Sequence, residues 1–241
     1  MSKKILLALQ FWNGDKDQAM RLARTIADMQ PGRCDNADFL FMSRFDCTQD
    51  APTIQEVSRK FNVFQAVSRR RGTGWPHGCN DLWFGTLDHI YSKTVARQMP
   101  EYKAILTFEA DCAPTASNWV NELHRAWDLA APAQIVGSLI PGKDGGHDHI
   151  NGNMMFTGDL AALKWVTRDV GGCHARGGWD YLLAPQFKKR GWADCPGMRS
   201  DYRMETMTRE YFEHLITSGV FFHHGCKDGS SLALVQERFV N

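Results

Sequence analysis

The sequence has 241 residues, enough for one sizeable α/β domain, and its 28 Lys and Arg nearly balance its 27 Asp and Glu, leaving a formal charge of +1. This balance argues against a protein whose main task is to bind nucleic acid or an anionic membrane surface. The hydrophobic content of 43% is ordinary for a soluble globule. No apolar run approaches the roughly 20 residues that span a bilayer.

The seven cysteines are scattered and form no Cys-x-x-Cys pair. An odd number without paired spacing argues against a disulfide framework and against a structural zinc site. The first apolar run, residues 5–9, is too short for a secretion signal and is not followed by a small-residue cleavage site. We therefore expect a cytoplasmic protein with reduced thiols.

Strands and helices alternate in the first part of the chain. Apolar runs near 5–9, 39–42 and 63–67 predict strands, and helically spaced apolar positions near 14–29 and 53–60 predict helices. Such alternation predicts an α/β domain with a mostly parallel central sheet flanked by helices.

A basic, glycine-rich segment comes next, with Arg69, Arg70 and Arg71 ahead of three glycines and a helix near 80–98. Glycines let a backbone approach a ligand closely, and a helix N-terminus favours phosphate. The arginines are suited to a diphosphate or to a nucleic-acid backbone, although a merely solvated loop explains them equally well. The spacing does not fit a Walker loop.

The most informative segment is an apolar run at 104–108 that ends in Glu109 and Asp111. The run predicts a strand buried on both faces, and we expect Pro114 to end its ladder. The carboxyl end of such a strand opens into the ligand crevice of an α/β sheet. Two acids there repel each other unless a proton or cation lies between them, and their oxygens suit Mg²⁺ or Mn²⁺. Capping of the following helix is the simpler alternative.

The second part of the chain predicts strands near 134–140, 149–156 and 220–222 and helices near 117–129, 159–166 and 179–190. Gly152 interrupts the strand at 149–156, as glycines do where a ligand approaches or a bulge forms. Asp180 lies in the first turn of its helix, where an acid also matches the helix dipole. Residues 191–217 predict little beyond a helix near 209–216.

Taken in order, the acid-x-acid after a strand, the Asn-Gly-Asn strand, the Gly-Trp-Asp helix start and the C-terminal His-Gly-x-Lys resemble the GT-A glycosyltransferases. The resemblance covers roughly Ile5 to Lys227. It implies one GT-A-like, Rossmann-like domain over 1–241. Residues 1–111 would then bind a nucleotide sugar, and residues 112–241 would bind the acceptor and carry the catalytic group.

In that fold, the acid-x-acid element binds the divalent ion that bridges the donor diphosphate. The resemblance therefore implies Mn²⁺ or Mg²⁺ at Glu109 and Asp111, with Asp111 the firmer ligand because Glu replaces the commoner Asp. It also implies a further metal ligand at His223 or His224 and a phosphate contact at Lys227. The spacing of these C-terminal residues is tighter than the usual pattern.

Asp180 resembles the acid that inverting members use to deprotonate the acceptor, while retaining members place an acid or amide there to face the anomeric carbon. Asn151 and Asn153 resemble the strand that lines the donor-sugar pocket, and Gln10 would lie nearest the nucleotide base. The predicted donor-binding residues are Gln10, Arg69, Arg71, Asn151, Asn153 and Lys227.

The sequence thus favours a metal-dependent glycosyltransferase that uses a nucleotide-sugar donor. One alternative is a sugar-nucleotide nucleotidyltransferase, but the glycine-rich loop of that class is absent after the first strand. The other is a non-enzymatic nucleic-acid-binding module built on the arginine triplet and Trp75, which the near-zero net charge disfavours. Since no membrane anchor is evident, we expect a soluble or macromolecular acceptor, and a modified DNA base is one hypothesis.

Overall fold

The first strand lies inside a seven-stranded sheet in the computed structural model, which describes residues 3–143, 146–170 and 177–240. The strands are β1 Ile5–Phe11, β2 Ala37–Ser43, β3 Asn62–Val67, β4 Ala104–Phe108, β5 Cys112–Pro114, β6 Ile135–Gly137, β7 Leu139–Ile140, β8 His149–Ile150, β9 Met154–Thr157, β10 Trp192–Asp194, β11 Met198–Ser200 and β12 Phe222–His224. The helices are α1 Lys16–Met29, α2 Ala51–Ser58, α3 His77–Val95, α4 Trp119–Leu129, α5 Leu160–Lys164, α6 Trp179–Leu182, α7 Ala184–Arg190, α8 Arg209–Thr217 and α9 Ser230–Phe239, with a π-helical turn at Trp165–Val170 after α5.

The large sheet has the strand order β10-β6-β9-β4-β1-β2-β3. Strand β1 pairs in parallel with β2 and β4, β2 with β3, and β10 with β6. Only β9 runs against its neighbours, β4 and β6. The predicted α/β class with a mostly parallel central sheet flanked by helices is therefore confirmed.

Every residue of β1 and β2 is buried, because helices cover both faces of the sheet. Alternate residues of a strand point to opposite faces. Leu7 of β1 accordingly packs in the same cluster as Leu22 of α1 and Leu123 of α4. Leu6 packs with Trp83 and Leu87 of α3 on the other face. Ligands of α/β sheets bind at the carboxyl ends of the parallel strands, where the acid motif lies.

A smaller sheet with the order β11-β12-β5 lies at the end of β4 and corrects the prediction for Pro114. The chain turns at Glu109–Asp111 and enters β5, which pairs antiparallel with β12 so that Pro114 lies opposite Phe222. Pro114 is tolerated because β5 is an edge strand and the proline is its last residue. The pairing brings the C-terminal segment of the chain to the acid motif.

Three elements predicted as continuous are each divided into two in the structure. The strand expected at 134–140 is broken at Ser138, and the strand expected at 149–156 is two strands separated by residues 151–153. The helix expected at 179–190 is also two helices, with Pro185 in the first turn of the second, where its missing N–H costs nothing. Strands β5, β10 and β11 and helix α9 were not predicted.

The six described cysteines, Cys34, Cys47, Cys79, Cys112, Cys195 and Cys226, are free, and Cys173 lies outside the described residues. Within the described ranges, none of the helices combines the length and the apolar character needed to cross a membrane.

Candidate active site

Glu109, Asp111 and His224 come together at the carboxyl end of β4. Each offers one ligand atom, and these atoms all lie within 4.8 Å of one another. The antiparallel pairing of His224 with Cys112 places the imidazole beside Asp111, with its Nε2 3.5 Å from Oδ1 of Asp111. The backbone N–H of Gly225 donates to the carbonyl oxygen of Asp111 at 3.1 Å, which fixes the turn that follows β12.

The two neighbouring carboxylates of the cluster repel each other, so a bound cation or proton stabilises them. Burial and the neighbouring charge of Asp111 raise the pKa of Glu109 to about 7. Burial works against ionisation of Asp111 too, but hydrogen bonding and charge from His224, with the charge of Lys227, lower its pKa overall. The pKa of His224 is raised because the two carboxylates outweigh the effect of its burial.

The side chains of this cluster fit a divalent cation. Asp111 is 8% exposed, and among the described residues its buried Oδ1 has the long 3.5 Å contact with His224 Nε2 in place of a full hydrogen bond. A buried carboxylate oxygen so weakly paired is costly unless a cation or a better donor satisfies it. Two carboxylates and an imidazole form a ligand set suited to Mn²⁺ or a similar ion.

The adjacent histidine, His223, is not brought to this cluster, because neighbouring residues of a strand point to opposite faces. It is fully buried on the other side of β12, with Nε2 3.4 Å from Oδ2 of Asp201. The same oxygen accepts a hydrogen bond from the Tyr211 hydroxyl at 2.8 Å. Burial opposes ionisation of Asp201, but these two partners and the charge of Arg199 lower its pKa to about 2.

Asn151 and Asn153 form the turn between β8 and β9, and their amides bond within the protein. Oδ1 of Asn153 accepts the backbone N–H of Glu109 at 2.8 Å and the thiol of Cys112 at 3.1 Å. Oδ1 of Asn151 in turn accepts the backbone N–H of Asn153 at 3.0 Å. Both asparagines are buried. The turn therefore holds the acid motif in place.

Asp180 is held by the same turn. Its Oδ2 accepts the backbone N–H of Gly152 at 3.1 Å, and its Oδ1 accepts that of Tyr181 at 2.9 Å. Burial raises the pKa of Asp180, while the charge of His149 and these two backbone hydrogen bonds oppose the rise. Hydrogen bonds thus connect the acid motif, the Asn-Gly-Asn turn and Asp180 into one unit.

Helix α3 anchors the start of α6 and so places Asp180. Oδ1 of Asn80 accepts the backbone N–H of Trp179 at 2.8 Å, and the Trp179 ring stacks on Trp83 with 3.6 Å between centroids. A helix of four residues has little stability of its own. Its position therefore depends on these contacts.

Lys227 is exposed in the turn after β12, and its charge contributes to the lowered pKa of Asp111. Gln10 is buried at the end of β1, where its Nε2 donates to the Thr86 hydroxyl of α3 at 2.7 Å. Lys227 is thus near the acid motif, whereas the amide nitrogen of Gln10 is committed to packing the sheet against α3.

The arginine triplet alternates in direction, as an extended chain does. Arg70 turns inward, 3.6 Å from Asp81 and over the Phe84 ring. Arg69 and Arg71 on either side are exposed, and the Arg71 guanidinium lies 4.9 Å from the centroid of the Phe45 ring.

Two titratable residues that interact electrostatically with the acid motif were not predicted. Asp15 follows β1, and its pKa is raised to about 6 by burial and by the charge of Asp111, against a hydrogen bond from the Trp12 backbone. Cys79 is exposed near the start of α3, where the surrounding protein and the charge of Glu109 raise its pKa to about 11. Because Asp15 follows a parallel strand, the sequence could have indicated that it lies near the site. Nothing in the sequence around Cys79 indicates such a position.

No family model and no curated protein matches this sequence. Among solved structures, the glycosyltransferase GlyE of Streptococcus pneumoniae TIGR4 is 10% identical, with a TM-score of 0.50, over 93% of this chain and 54% of GlyE. The bifunctional glycosyltransferase WbbM is 8% identical, with a TM-score of 0.56, over 93% of this chain and 46% of WbbM. TarS of S. aureus is 9% identical, with a TM-score of 0.53, over 99% of this chain and 40% of TarS.

The chain thus spans about half the length of these proteins. At such low identity the likeness concerns the arrangement of the backbone alone. The chain has the GT-A fold of these glycosyltransferases.

Proposed function

We propose that the protein transfers a sugar from a nucleotide-sugar donor to an acceptor hydroxyl, with a divalent cation held by Glu109, Asp111 and His224. The observation that carries this proposal is the cluster of these three side chains at the carboxyl end of β4 in a GT-A fold. When bound, Mn²⁺ or Mg²⁺ would act as a Lewis acid toward the departing diphosphate. Lys227, exposed beside the cluster, would add a positive charge at the same place.

Asp180 is the proposed catalytic carboxylate. In an inverting reaction it takes the proton of the acceptor hydroxyl while the acceptor oxygen bonds to the anomeric carbon and the bond to the diphosphate breaks. In a retaining reaction it faces the anomeric carbon instead. Its two backbone hydrogen bonds fix the carboxylate, and burial raises its pKa, which strengthens it as a base.

For the donor, we assign the phosphates to Arg69, Arg71 and Lys227, whose side chains are exposed. Residues 1–111 would bind the nucleotide, and residues 112–241 would hold the acceptor and Asp180. Gln10, Asn151 and Asn153 would then shape the donor pocket through their backbone and their packing, since their side-chain amides bond within the protein.

A thermal-shift screen of UDP-, GDP-, CMP- and TDP-sugars, each with Mn²⁺, Mg²⁺ or a chelator, tests the proposal. A donor at about 100 times its dissociation constant stabilises the fold by about 2.7 kcal/mol. We expect one nucleotide class to raise the melting temperature only when the metal is present. If none of them does so, the proposed donor class is wrong.

The proposed acceptor is a modified DNA base, and one surface feature supports this proposal. Trp75 is 75% exposed on the same loop as Arg69 and Arg71, and aromatic and basic side chains together suit a nucleic-acid strand. Once a donor is known, sugar transfer to DNA with hydroxylated bases should exceed transfer to free sugars. Transfer to free sugars alone would reject DNA as the acceptor.

The nucleotidyltransferase alternative is less well supported. The segment after β1 would have to cradle phosphates with its backbone, as the glycine-rich loop of that class does. Here the Trp12 ring covers Gly14 so closely that a Cβ on that glycine would lie 2.3 Å from it. An indole thus lies against the segment that corresponds to the glycine-rich loop of that class.

A further inference from the structure

Strand β11 runs parallel to β12 and places Ser200 beside His224. The two residues are partners in the register of these strands. Oγ of Ser200 lies 2.9 Å from Nδ1 of His224. The other ring nitrogen, Nε2, faces Oδ1 of Asp111 at 3.5 Å. The imidazole therefore lies between a serine hydroxyl and the acid motif, with one ring nitrogen toward each.

The position of Ser200 is itself fixed by hydrogen bonds from the backbone. Its N–H donates to the hydroxyl of Ser138 at 3.2 Å, the residue that separates β6 from β7. The carbonyl oxygen of Ser138 accepts the backbone N–H of Asn151 at 2.9 Å. On the other side, the N–H of Asp201 donates to the carbonyl oxygen of His224 at 2.8 Å. Ser200 is thus tied both to the backbone of β12 and to the Asn-Gly-Asn turn.

The two nitrogens of the His224 ring must take different roles if the ring binds a cation. A neutral imidazole carries its proton on one nitrogen and offers a lone pair on the other. Nε2 is the nitrogen on the side of Asp111, in the cluster of possible metal ligands. The proton then belongs on Nδ1, and the acceptor within reach of Nδ1 is Oγ of Ser200. His224 is only 7% exposed, so water has little access to replace that acceptor.

The serine hydroxyl can also donate to Nδ1, because a hydroxyl is both a donor and an acceptor. In that arrangement the proton of a neutral ring is on Nε2 and points toward Asp111. Binding of a cation at Nε2 excludes this form, since the lone pair is no longer available there. Rotation of the hydroxyl about its own bond is enough to turn Oγ into the acceptor.

We propose that Ser200 is a positioning residue for His224: its hydroxyl accepts the Nδ1–H and keeps Nε2 turned toward the cation. The inference rests on the proposed function for the presence of the cation, but it concerns binding of the ion alone. Groups that hold the second nitrogen of a ligating histidine typically contribute about 10–100-fold to metal affinity. A serine that only fills space beside the ring would contribute none of this.

The test measures Mn²⁺ affinity by calorimetric titration of the full chain without donor, in variants of both residues. Ser200→Ala should bind Mn²⁺ at least about tenfold more weakly than the wild type. In a His224→Ala background the same substitution should have no further effect, because the ring through which Ser200 acts is gone. Wild-type affinity in Ser200→Ala, or an equal loss in both backgrounds, overturns the proposal.

A matched pair of variants separates the hydroxyl from the shape of the side chain. Ser200→Thr and Ser200→Val place nearly the same branched shape on β11, but only threonine keeps the hydroxyl. At similar melting temperatures, the threonine variant should bind Mn²⁺ more tightly than the valine variant. If the added methyl group crowds the ring and weakens binding in both, the comparison of Ser200→Ala in the two backgrounds decides the matter.

The failure of this inference differs from the failure of the proposed function. A chain that binds Mn²⁺ but no nucleotide sugar in the thermal-shift screen rejects the proposed function, and the variants still decide the role of Ser200. A chain that binds the donor with Mn²⁺, but whose Ser200→Ala variant keeps the wild-type Mn²⁺ affinity, rejects the role of Ser200 alone. A wild-type chain that binds no Mn²⁺ rejects both.

Discussion

The two halves of the candidate site are built in different ways. In the half that holds the proposed metal ligands (the metal side), Asp111 and His224 are placed by backbone pairing between β5 and β12, two strands far apart in the chain. In the half that holds the proposed base (the base side), Asp180 begins a helix of only four residues, held by side chains of α3 and by a turn. The position of the metal side therefore depends on backbone pairing, while that of the base side depends on a few individual contacts. Substitutions should consequently affect ligand binding on the first side and turnover on the second.

The largest effect is expected from Asp111→Asn. It removes a buried negative charge and a proposed ligand oxygen whose contact with His224 Nε2 is long, at 3.5 Å. Metal-dependent binding of the donor should be abolished, because the remaining ligands, Glu109 and His224, leave too little negative charge to hold a divalent ion. Calorimetric titration with Mn²⁺, and with donor in the presence of Mn²⁺, measures this.

The control is Asp201→Asn, a half-buried carboxylate that contacts His223 rather than the cluster. It should retain metal binding despite some loss of stability. Wild-type affinities in Asp111→Asn would mean that the metal binds elsewhere.

Asp180→Asn should come next, with an effect on turnover rather than on binding. The amide keeps the shape and the polarity of the side chain but cannot accept a proton, and positioned bases contribute about 10²–10⁴-fold. We expect turnover at least about a hundredfold slower with unchanged donor affinity. Both quantities should be measured on one preparation, since near-normal turnover would reduce Asp180 to the first residue of its helix.

The sequence predicts the parts of this arrangement that depend on residues close together in the chain. The run before Glu109 predicts a buried strand, and acids at its end predict a cation, because both inferences need only neighbouring residues. The periodicity of the first half similarly predicts the parallel sheet. Helix α9 is a different case: Leu232 and Val235 are spaced for a helix face and are buried, so a usable local signal was missed.

The features of the site that the sequence does not predict depend on contacts between segments far apart in the chain. It offers both His223 and His224 to the metal, and only the register of β12 against β5 turns His224 toward Asp111. The contact between Asn153 and the backbone of Glu109 joins residues 44 positions apart. Neither spacing nor residue type predicts such a contact, and the resemblance to GT-A enzymes implied only that this asparagine lines the donor-sugar pocket.

The adjacent residues His223 and His224 lie on opposite faces of β12, so substituting each in turn separates metal binding from stability. His224→Gln should weaken Mn²⁺ binding at least about tenfold, because even groups that only support metal ligands contribute that much. His223→Gln should leave Mn²⁺ affinity unchanged and lower the melting temperature, since it disturbs a fully buried contact with Asp201. Mn²⁺ titration and thermal melts on both variants decide this, and equal effects on metal affinity would contradict the assignment of the two faces.

A smaller effect is expected from pH. The pKa of Glu109 is raised to about 7 by burial and by Asp111, so its carboxylate takes up a proton as the pH falls through that value. Metal ligands must be deprotonated to bind, and Mn²⁺ affinity should therefore be full above about pH 7 and decline below it. Glu109→Gln should bind Mn²⁺ more weakly but with a flatter pH dependence between about pH 6 and 8. The same steep dependence in the variant would assign the proton to another group.

The smallest effect is expected at the link between the two sides, Asn153. Asn153→Ala leaves the backbone N–H of Glu109 and the thiol of Cys112 without their acceptor, which should cost about 1–3 kcal/mol of unfolding free energy. Because the same turn carries the Gly152 N–H that holds Asp180, Mn²⁺ affinity and turnover should both fall, each by about tenfold at most. Asn36→Ala is the control, since it removes an exposed asparagine pair with Asn121 on another part of the surface. A loss of metal affinity with turnover per bound donor intact would show that the turn supports only the metal side, and that Asp180 is positioned by α3 alone.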